Sequence, residues 1–159
     1  MVRVAAIVPI KSFRTAKGRL RSTLGDAGAT EIATELARGV ITALAPLPVL
    51  VVSDDDEVAR FARSLGAHVL HQQREGLNSA VSEAYELTSE TADYVVIAHS
   101  DLAHPEGLGT YPYEDGVTIW TDNTETGTNV LCLPTGLNFP FSYGPHSAPA
   151  HRSAARSLG

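Results

Sequence analysis

The chain has 159 residues, 43% of them hydrophobic and 19% charged, with one cysteine and a formal net charge of −6. That balance describes a single domain over residues 1–159, able to bury roughly 68–70% of its unfolded surface without a disulfide or structural metal. A lone Cys132 excludes a disulfide framework and a cysteine zinc site, and it points to the reducing cytoplasm. No apolar run reaches the roughly 18 residues of a membrane span, and the first residues lack a signal-peptide profile. An acidic chain also lacks the basic face of a general nucleic-acid binder.

Val2 to Pro9 is a short apolar run ended by proline, the pattern of a strand buried on both faces. A loop with the basic cluster follows, and Thr30 is a fair N-cap for a helix with Ile32, Leu36, Val40 and Ala43 on one face. Val49 to Val52 is a second buried strand. Ser53 and Asp54 then cap a helix carrying Val58, Phe61, Ala62 and Leu65, which Gly66 closes. Ala67 to Leu70 reads as a third strand, a helix carries Leu77, Val81, Ala84 and Thr88, and Tyr94 to Ala98 is a fourth strand. Val117 to Trp120 and Val130 to Leu133 read as two further strands, and a last helix starts near Ser147 with Pro149 in its first turn. Strands alternating with helices over short connections predict an α/β fold of three layers on a mostly parallel sheet. Ligands of such sheets bind beyond the carboxyl ends of the strands. The basic loop, the Ser53–Asp56 segment and Ser100-Asp101 all follow strand ends, so all three open onto one edge.

Charge is unevenly distributed. Lys11, Arg14, Lys17, Arg19 and Arg21 are five of the twelve cations, whereas Glu75 to Ala150 holds no Lys or Arg. Cations along a strand-exit loop can wrap a triphosphate, or the loop is simply a solvated basic segment. It is neither a Walker loop nor a G-x-G-x-x-G fingerprint. Asp101 faces this cluster from a strand end, where a carboxylate either holds Mg²⁺ or caps a turn. Asp54-Asp55-Asp56-Glu57 reads as a helix N-terminus. Gly76-Leu77-Asn78, Gly127-Thr128-Asn129 and Tyr143-Gly144-Pro145-His146-Ser147 are common turn sequences, although a helix starting at Ser147 would offer free N–H groups to an anion. Cys132 reads as a core residue.

Taken in chain order, five segments resemble the 2-phospho-L-lactate guanylyltransferase family, whose fold is similar to that of the molybdopterin guanylyltransferases. They are Pro9-x-Lys11 with Ala16-Lys17-x-Arg19-Leu20, Gly76-Leu77-Asn78-x-Ala80, Asp101-Leu102, Asp122 with Gly127-Thr128-Asn129, and Phe141-x-Tyr143-Gly144-Pro145-x-Ser147 with His151. The resemblance implies a Rossmann-like nucleotidyltransferase fold. It also implies transfer of GMP from GTP to 2-phospho-L-lactate or phosphoenolpyruvate, with release of pyrophosphate, in biosynthesis of the deazaflavin coenzyme F(420). By similarity, Lys17 belongs at the reacting phosphates and Asp101 is catalytic through Mg²⁺. Lys11, Arg19, Thr128, Gly144 and Ser147 would bind the phosphorylated acid, and Pro9, Gly76 and Asn78 the nucleotide. The family normally continues into a segment with two further aspartates, so Asp101 and Asp122 are the expected metal ligands within these 159 residues. The readings kept beside this one are a relative that binds ligand without turnover, a subunit whose partner completes the metal site, and a flavodoxin-like or Rossmann-like binding protein. A homo-oligomer is compatible with all of them.

Overall fold

The structure is a computed structural model describing residues 1–15, 18–113 and 115–159, with Gly18–Leu20 as backbone alone. Its elements are β1 (Val4–Pro9), α1 (Gly18–Leu44), β2 (Val49–Ser53), α2 (Asp56–Ser64), β3 (His68–His71), α3 (Leu77–Thr88), β4 (Tyr94–Ala98), β5 (Thr118–Thr121), β6 (Thr128–Pro134) and α4 (Ser147–Ser157). One six-stranded sheet runs in the order β3-β2-β1-β4-β6-β5. The first four strands pair in parallel. β6 runs antiparallel to both β4 and β5, a reversal within the otherwise parallel arrangement that the sequence predicts.

The central strands are apolar at every position because both faces are covered. Ala6, Val8, Val96, Ala98, Val130 and Cys132 point to one side, where they pack with Ala37, Val40, Ile41 and Leu44 of α1 and Val58 and Ala62 of α2. The alternate positions Ile7, Val95, Ile97, Leu131 and Leu133 meet Ala80, Val81, Ala84 and Tyr85 of α3, with Ala154 and Ala155 of α4 packed against them. The result is three layers. Cys132 lies in the first core, free and 1% exposed, and burial pushes its thiol up to about 12.

Two helix starts differ from the sequence reading. α1 begins at Gly18 rather than after Thr30, and it is broken at Gly25, which sits at φ 75° and ψ 174°. The helical pattern from Ile32 onward marks only the part of α1 that faces the core. The earlier turns are anchored by polar contacts that apolar periodicity does not register, as Arg21 bonds the Asp26 carboxylate at 3.1 Å and the Phe13 carbonyl at 3.0 Å. For α2 the cap is Asp55, whose carboxylate accepts the Val58 N–H at 3.0 Å. Ser53 and Asp54 precede that cap. No helix among the described residues is long and apolar enough to cross a membrane.

Ile7 is fully buried in the central strand and registers with Leu50 on one side and Ile97 on the other. Ile7→Ala is expected to lower unfolding stability by about 2–5 kcal/mol, read as a reduced urea midpoint with an unchanged denaturant slope.

Candidate functional site

The carboxyl ends of β1, β2 and β4 lie along one edge of the sheet because these strands are parallel. β6 runs the other way, so its first residue, Thr128, reaches that same edge. The β5 end does too, and Asp122 follows it. The edge carries three adjoining features.

The first is a cavity of about 410 Å³ between the ends of β1 and β2 and the start of α3, lined among others by Pro9, Lys11, Asp54, Gln72, Glu75 and Gly76. Gly76 sits at φ 94°, a conformation other residues rarely adopt, and begins α3 with no side-chain cap. The first N–H groups of α3 are therefore left for a ligand or water. Gln72 spends its amide nitrogen on the carbonyls of Arg74 at 2.6 Å and Gly76 at 3.1 Å, which shapes the loop and leaves its oxygen as an acceptor. Asp54, which the sequence reading leaves at a helix start, thus lies in a cavity wall.

The second feature is a cavity of about 260 Å³ that includes Lys11, Ser12, His99, Ser100 and Asp101. Lys11 borders both cavities and stands at their junction. Of the other clustered cations, Arg14 pairs with Glu57 at 3.1 Å and Arg21 with Asp26, so these two brace the loop. Lys17 and the side chain of Arg19 lie outside the described residues. Burial holds His99 below the usual imidazole range, against the opposing pull of Asp101 and of its hydrogen bond with the Thr128 backbone. The burial thus favours the neutral form of the ring.

The third feature surrounds Thr128 and Ser147, which are 3% and 2% exposed. The Thr128 N–H donates to Ser147 Oγ at 2.9 Å, and the two hydroxyls are 3.1 Å apart. Gly144 (φ 124°) and His146 (φ 60°) turn the chain into α4 in left-handed backbone conformations, on an exposed segment. The N–H groups of Gly144, His146 and Ser147 have no acceptor among the described residues. They lie at or just before the start of an 11-residue helix, a place suited to an anion. The loop before Thr128 is docked on the same helix by the Ala148 N–H, which donates to the Thr126 carbonyl at 2.9 Å.

Two expected site residues have other duties here. Asn78 does not line the first cavity. Its carbonyl accepts the Tyr143 N–H at 2.7 Å and its amide donates to the Tyr143 carbonyl at 3.4 Å, so it pins the 141–144 strap to α3. Asp122 turns its carboxylate back into its own loop. It accepts the N–H groups of Thr126 and Gly127, both at 3.0 Å, and the Thr124 hydroxyl, also at 3.0 Å. Gly127 is required there, because a Cβ would lie 2.6 Å from the Asp122 oxygen. These hydrogen bonds, Gly127 first, hold the Asp122 carboxyl below its ordinary range. Asp101 and Asp122 both stand on the functional edge. Among the described residues no three His, Cys, Asp or Glu side chains cluster as a metal site.

Sequence reasoning missed His151, fully buried in α4 beside Thr128. Its membership in the five matching segments was the one available signal. It also missed Gln72 and Glu75, which no local pattern distinguishes from loop residues.

The family described as "Guanylyl transferase CofC like" matches residues 4–159. The chain belongs to this guanylyl transferase family. A phosphoenolpyruvate guanylyltransferase of Rubrobacter xylanophilus is 37% identical over 169 residues, spanning 98% of this chain and 81% of that protein. A 2-phospho-L-lactate guanylyltransferase of Methanothermobacter thermautotrophicus is 32% identical over 167 residues, spanning 99% and 74%. Among solved structures, a Methanothermobacter nucleotidyl transferase aligns with a TM-score of 0.65 at 10% identity, covering 98% of this chain and 84% of that one. The fold is thus that of nucleotidyltransferases, and the chain is a guanylyltransferase of this family. The two cavities, which share Ile10 and Lys11, and the Thr128–Ser147 pair lie along one edge of the sheet.

Asp122 supplies a pH-dependent check. Its carboxyl lies below its ordinary 3.8 in the folded state, so its contribution is complete above that value and is lost as pH falls through the folded value. Amide exchange at Thr126 and Gly127 is expected to be slow at neutral pH and to accelerate relative to the sheet in acid. In Asp122→Ala the same acceleration should already be present at pH 7.

Proposed function

We propose that the chain transfers GMP from GTP to a small phosphorylated carboxylic acid, phosphoenolpyruvate or 2-phospho-L-lactate, and releases pyrophosphate. The observation that carries this reading is the order of features along the edge. A base-sized cavity, a cation beside a carboxylate, and an anion cradle follow one another from β2 to β6.

The base cavity favours guanine by its hydrogen-bonding chemistry. Asp54, Glu75 and the Gln72 oxygen are acceptors, and with the Gln72 amide nitrogen already engaged, Lys11 is the remaining side-chain donor in its lining. Guanine presents two adjacent N–H donors on its Watson–Crick edge. Adenine and cytosine present a donor beside an acceptor and would set one of these acceptors against a lone pair.

The acceptor phosphate, with a second pKa of about 6, is already ionised near neutral pH. One of its oxygens attacks the α-phosphorus of GTP, a P–O bond forms, and the bond to the β-phosphate oxygen breaks as pyrophosphate leaves. No side chain has to take a proton. The work left to the protein is to hold two anions in line and offset their charge. Lys11 supplies positive charge between the cavities. Lys17 and Arg19 belong by family resemblance beside the same phosphates. The Gly144, His146 and Ser147 N–H groups and the Thr128 and Ser147 hydroxyls would hold the acceptor.

Mg²⁺ suits this edge through Asp101. It is a hard ion that commonly takes one or two carboxylates together with substrate phosphates, and Asp101 shares a cavity with Lys11 and Ser100. Asp122, whose oxygens already accept three donors, is the weaker candidate ligand. When bound, the ion would supply charge neutralisation at the triphosphate.

The test is pyrophosphate release with GTP, ATP, CTP and UTP, each against phosphoenolpyruvate and 2-phospho-L-lactate. Turnover is expected with GTP and at least one acceptor, with the other nucleotides at least about ten-fold poorer. Asp54→Ala combined with Glu75→Ala should shrink that discrimination. Lys17→Ala should raise acceptor KM without lowering the thermal midpoint. Absence of turnover with every pair above a no-enzyme control contradicts the reading.

A further inference from the structure

His151 is fully buried, carries two hydrogen bonds, and has no role in the reaction as set out above. Its surroundings fix its proton. Nε2 lies 2.9 Å from the backbone nitrogen of Ser142, which can only donate, so Nε2 carries no hydrogen. Burial, with His99 nearby, holds His151 below the usual imidazole range, in keeping with a neutral ring. A neutral imidazole has one N–H, which must then be on Nδ1. That group points at Thr128 Oγ1, 2.9 Å away, and donates to it.

The remaining hydrogens can be counted. Ser147 Oγ accepts the Thr128 N–H at 2.9 Å, and one hydroxyl hydrogen bridges Ser147 Oγ and Thr128 Oγ1 at 3.1 Å. The two hydroxyls own two hydrogens, and only one is used between them. The ring nitrogen cannot take the second, because it is itself a donor. No other acceptor meets either oxygen among the described residues. With the opposite tautomer, the second hydrogen would donate to the ring and the network would close on itself.

We infer that His151 is a positioning residue of the acceptor cradle: by donating from Nδ1 to Thr128, it leaves one hydroxyl hydrogen of the Thr128–Ser147 pair for a phosphate oxygen. This rests on the reading of that cradle as the site of the phosphorylated acid. The ring also has the surroundings to keep its orientation. Phe139 lies 5.8 Å from it and Tyr143 4.8 Å, the latter edge-on. The Ser142 N–H is fixed on a strap whose next residue is pinned by Asn78.

Two measurements test this. The first is a long-range ¹H–¹⁵N spectrum of the histidine rings at neutral pH, where His151 should show a protonated Nδ1 and an unprotonated Nε2. The reverse tautomer or a doubly protonated ring overturns the inference. The second is a cycle of His151→Phe, which keeps an aromatic ring in the cluster, Thr128→Val, and the double variant. In His151→Phe the second hydroxyl hydrogen stays free, because phenylalanine accepts nothing, but the Nδ1 donor that orients the Thr128 hydroxyl is lost. Phosphoenolpyruvate KM should rise about three- to ten-fold, the scale of one neutral hydrogen bond, with GTP KM unchanged. The double variant should be no worse than Thr128→Val, because His151 acts on the cradle only through the Thr128 hydroxyl. Additive effects, or equal changes in both KM values, would make His151 a packing residue only. If His151→Phe fails to fold, the cycle is run with His151→Asn, judged by the same criteria. If the unaltered enzyme shows no turnover, the proposed function fails. The ring spectrum, and binding of phosphoenolpyruvate to each variant by calorimetry, still decide the role of His151.

Discussion

The antiparallel pairing of β6 with β4 is the constraint on which the site depends. Val95 registers with Leu133 and Ala98 with Val130, and the ladder continues beyond the strand where the His99 N–H donates to the Asn129 carbonyl. A parallel strand in that place would put its first residues at the opposite edge, some five residues of strand away from Asp101. The reversal brings Thr128 beside the end of β4 and lets the β5–β6 hairpin close at the functional edge. α4 then starts there as well, because the Ala148 N–H is held by the hairpin loop at Thr126. In this register Leu131 and Leu133 face α3 while Val130 and Cys132 face α1.

In the proposed reaction the edge would treat its two anions differently. On the β1 side the means is charge, with Lys11 bordering both cavities and Lys17 and Arg19 following it in the sequence. On the β6 side there is no Lys or Arg from Glu75 to Ala150, so an anion meets N–H groups, hydroxyls and the start of a helix. Neutral donors in a half-buried place are directional, whereas a lysine is a mobile point charge. A triphosphate needs charge offset over several oxygens, but an attacking phosphate needs one oxygen aimed. This division of labour accounts for the spread of cations along the chain without assigning each of them to a ligand.

Much of this was legible in the sequence, for identifiable reasons. Buried strands leave apolar runs, so β1, β2, β4 and β6 show in the sequence as Val2–Pro9, Val49–Val52, Tyr94–Ala98 and Val130–Leu133. Strand direction leaves no such trace. Val130 to Leu133 is apolar throughout in either orientation because both faces are covered, and the reversal shows only in the pairing. The start of α1 was hidden because Arg21 and Asp26 hold it by polar contacts, and Gly25 interrupts its period. Gly76, Thr128 and Ser147 stand out in the sequence through the family segments, and the structure places them along one sheet edge. The intramolecular partners of Asn78 and Asp122 were not legible, since a sequence does not show that an amide faces Tyr143 or that a carboxylate folds back onto Gly127. His151 needed the fold, because its meaning lies in a hydrogen bond across 23 residues.

The central claim is that two anionic substrates occupy separate, adjoining parts of one sheet edge. Chemical-shift mapping of backbone amides tests it most directly, with GDP and phosphoenolpyruvate titrated separately into ¹⁵N-labelled protein. GDP is expected to move Lys11, Gln72, Gly76 and Leu77, whereas phosphoenolpyruvate moves Gly127, Thr128, Gly144 and Ser147, with His99 and Asp101 affected by both. Overlapping sets centred on either cavity, or phosphoenolpyruvate shifts away from the start of α4, would contradict the account.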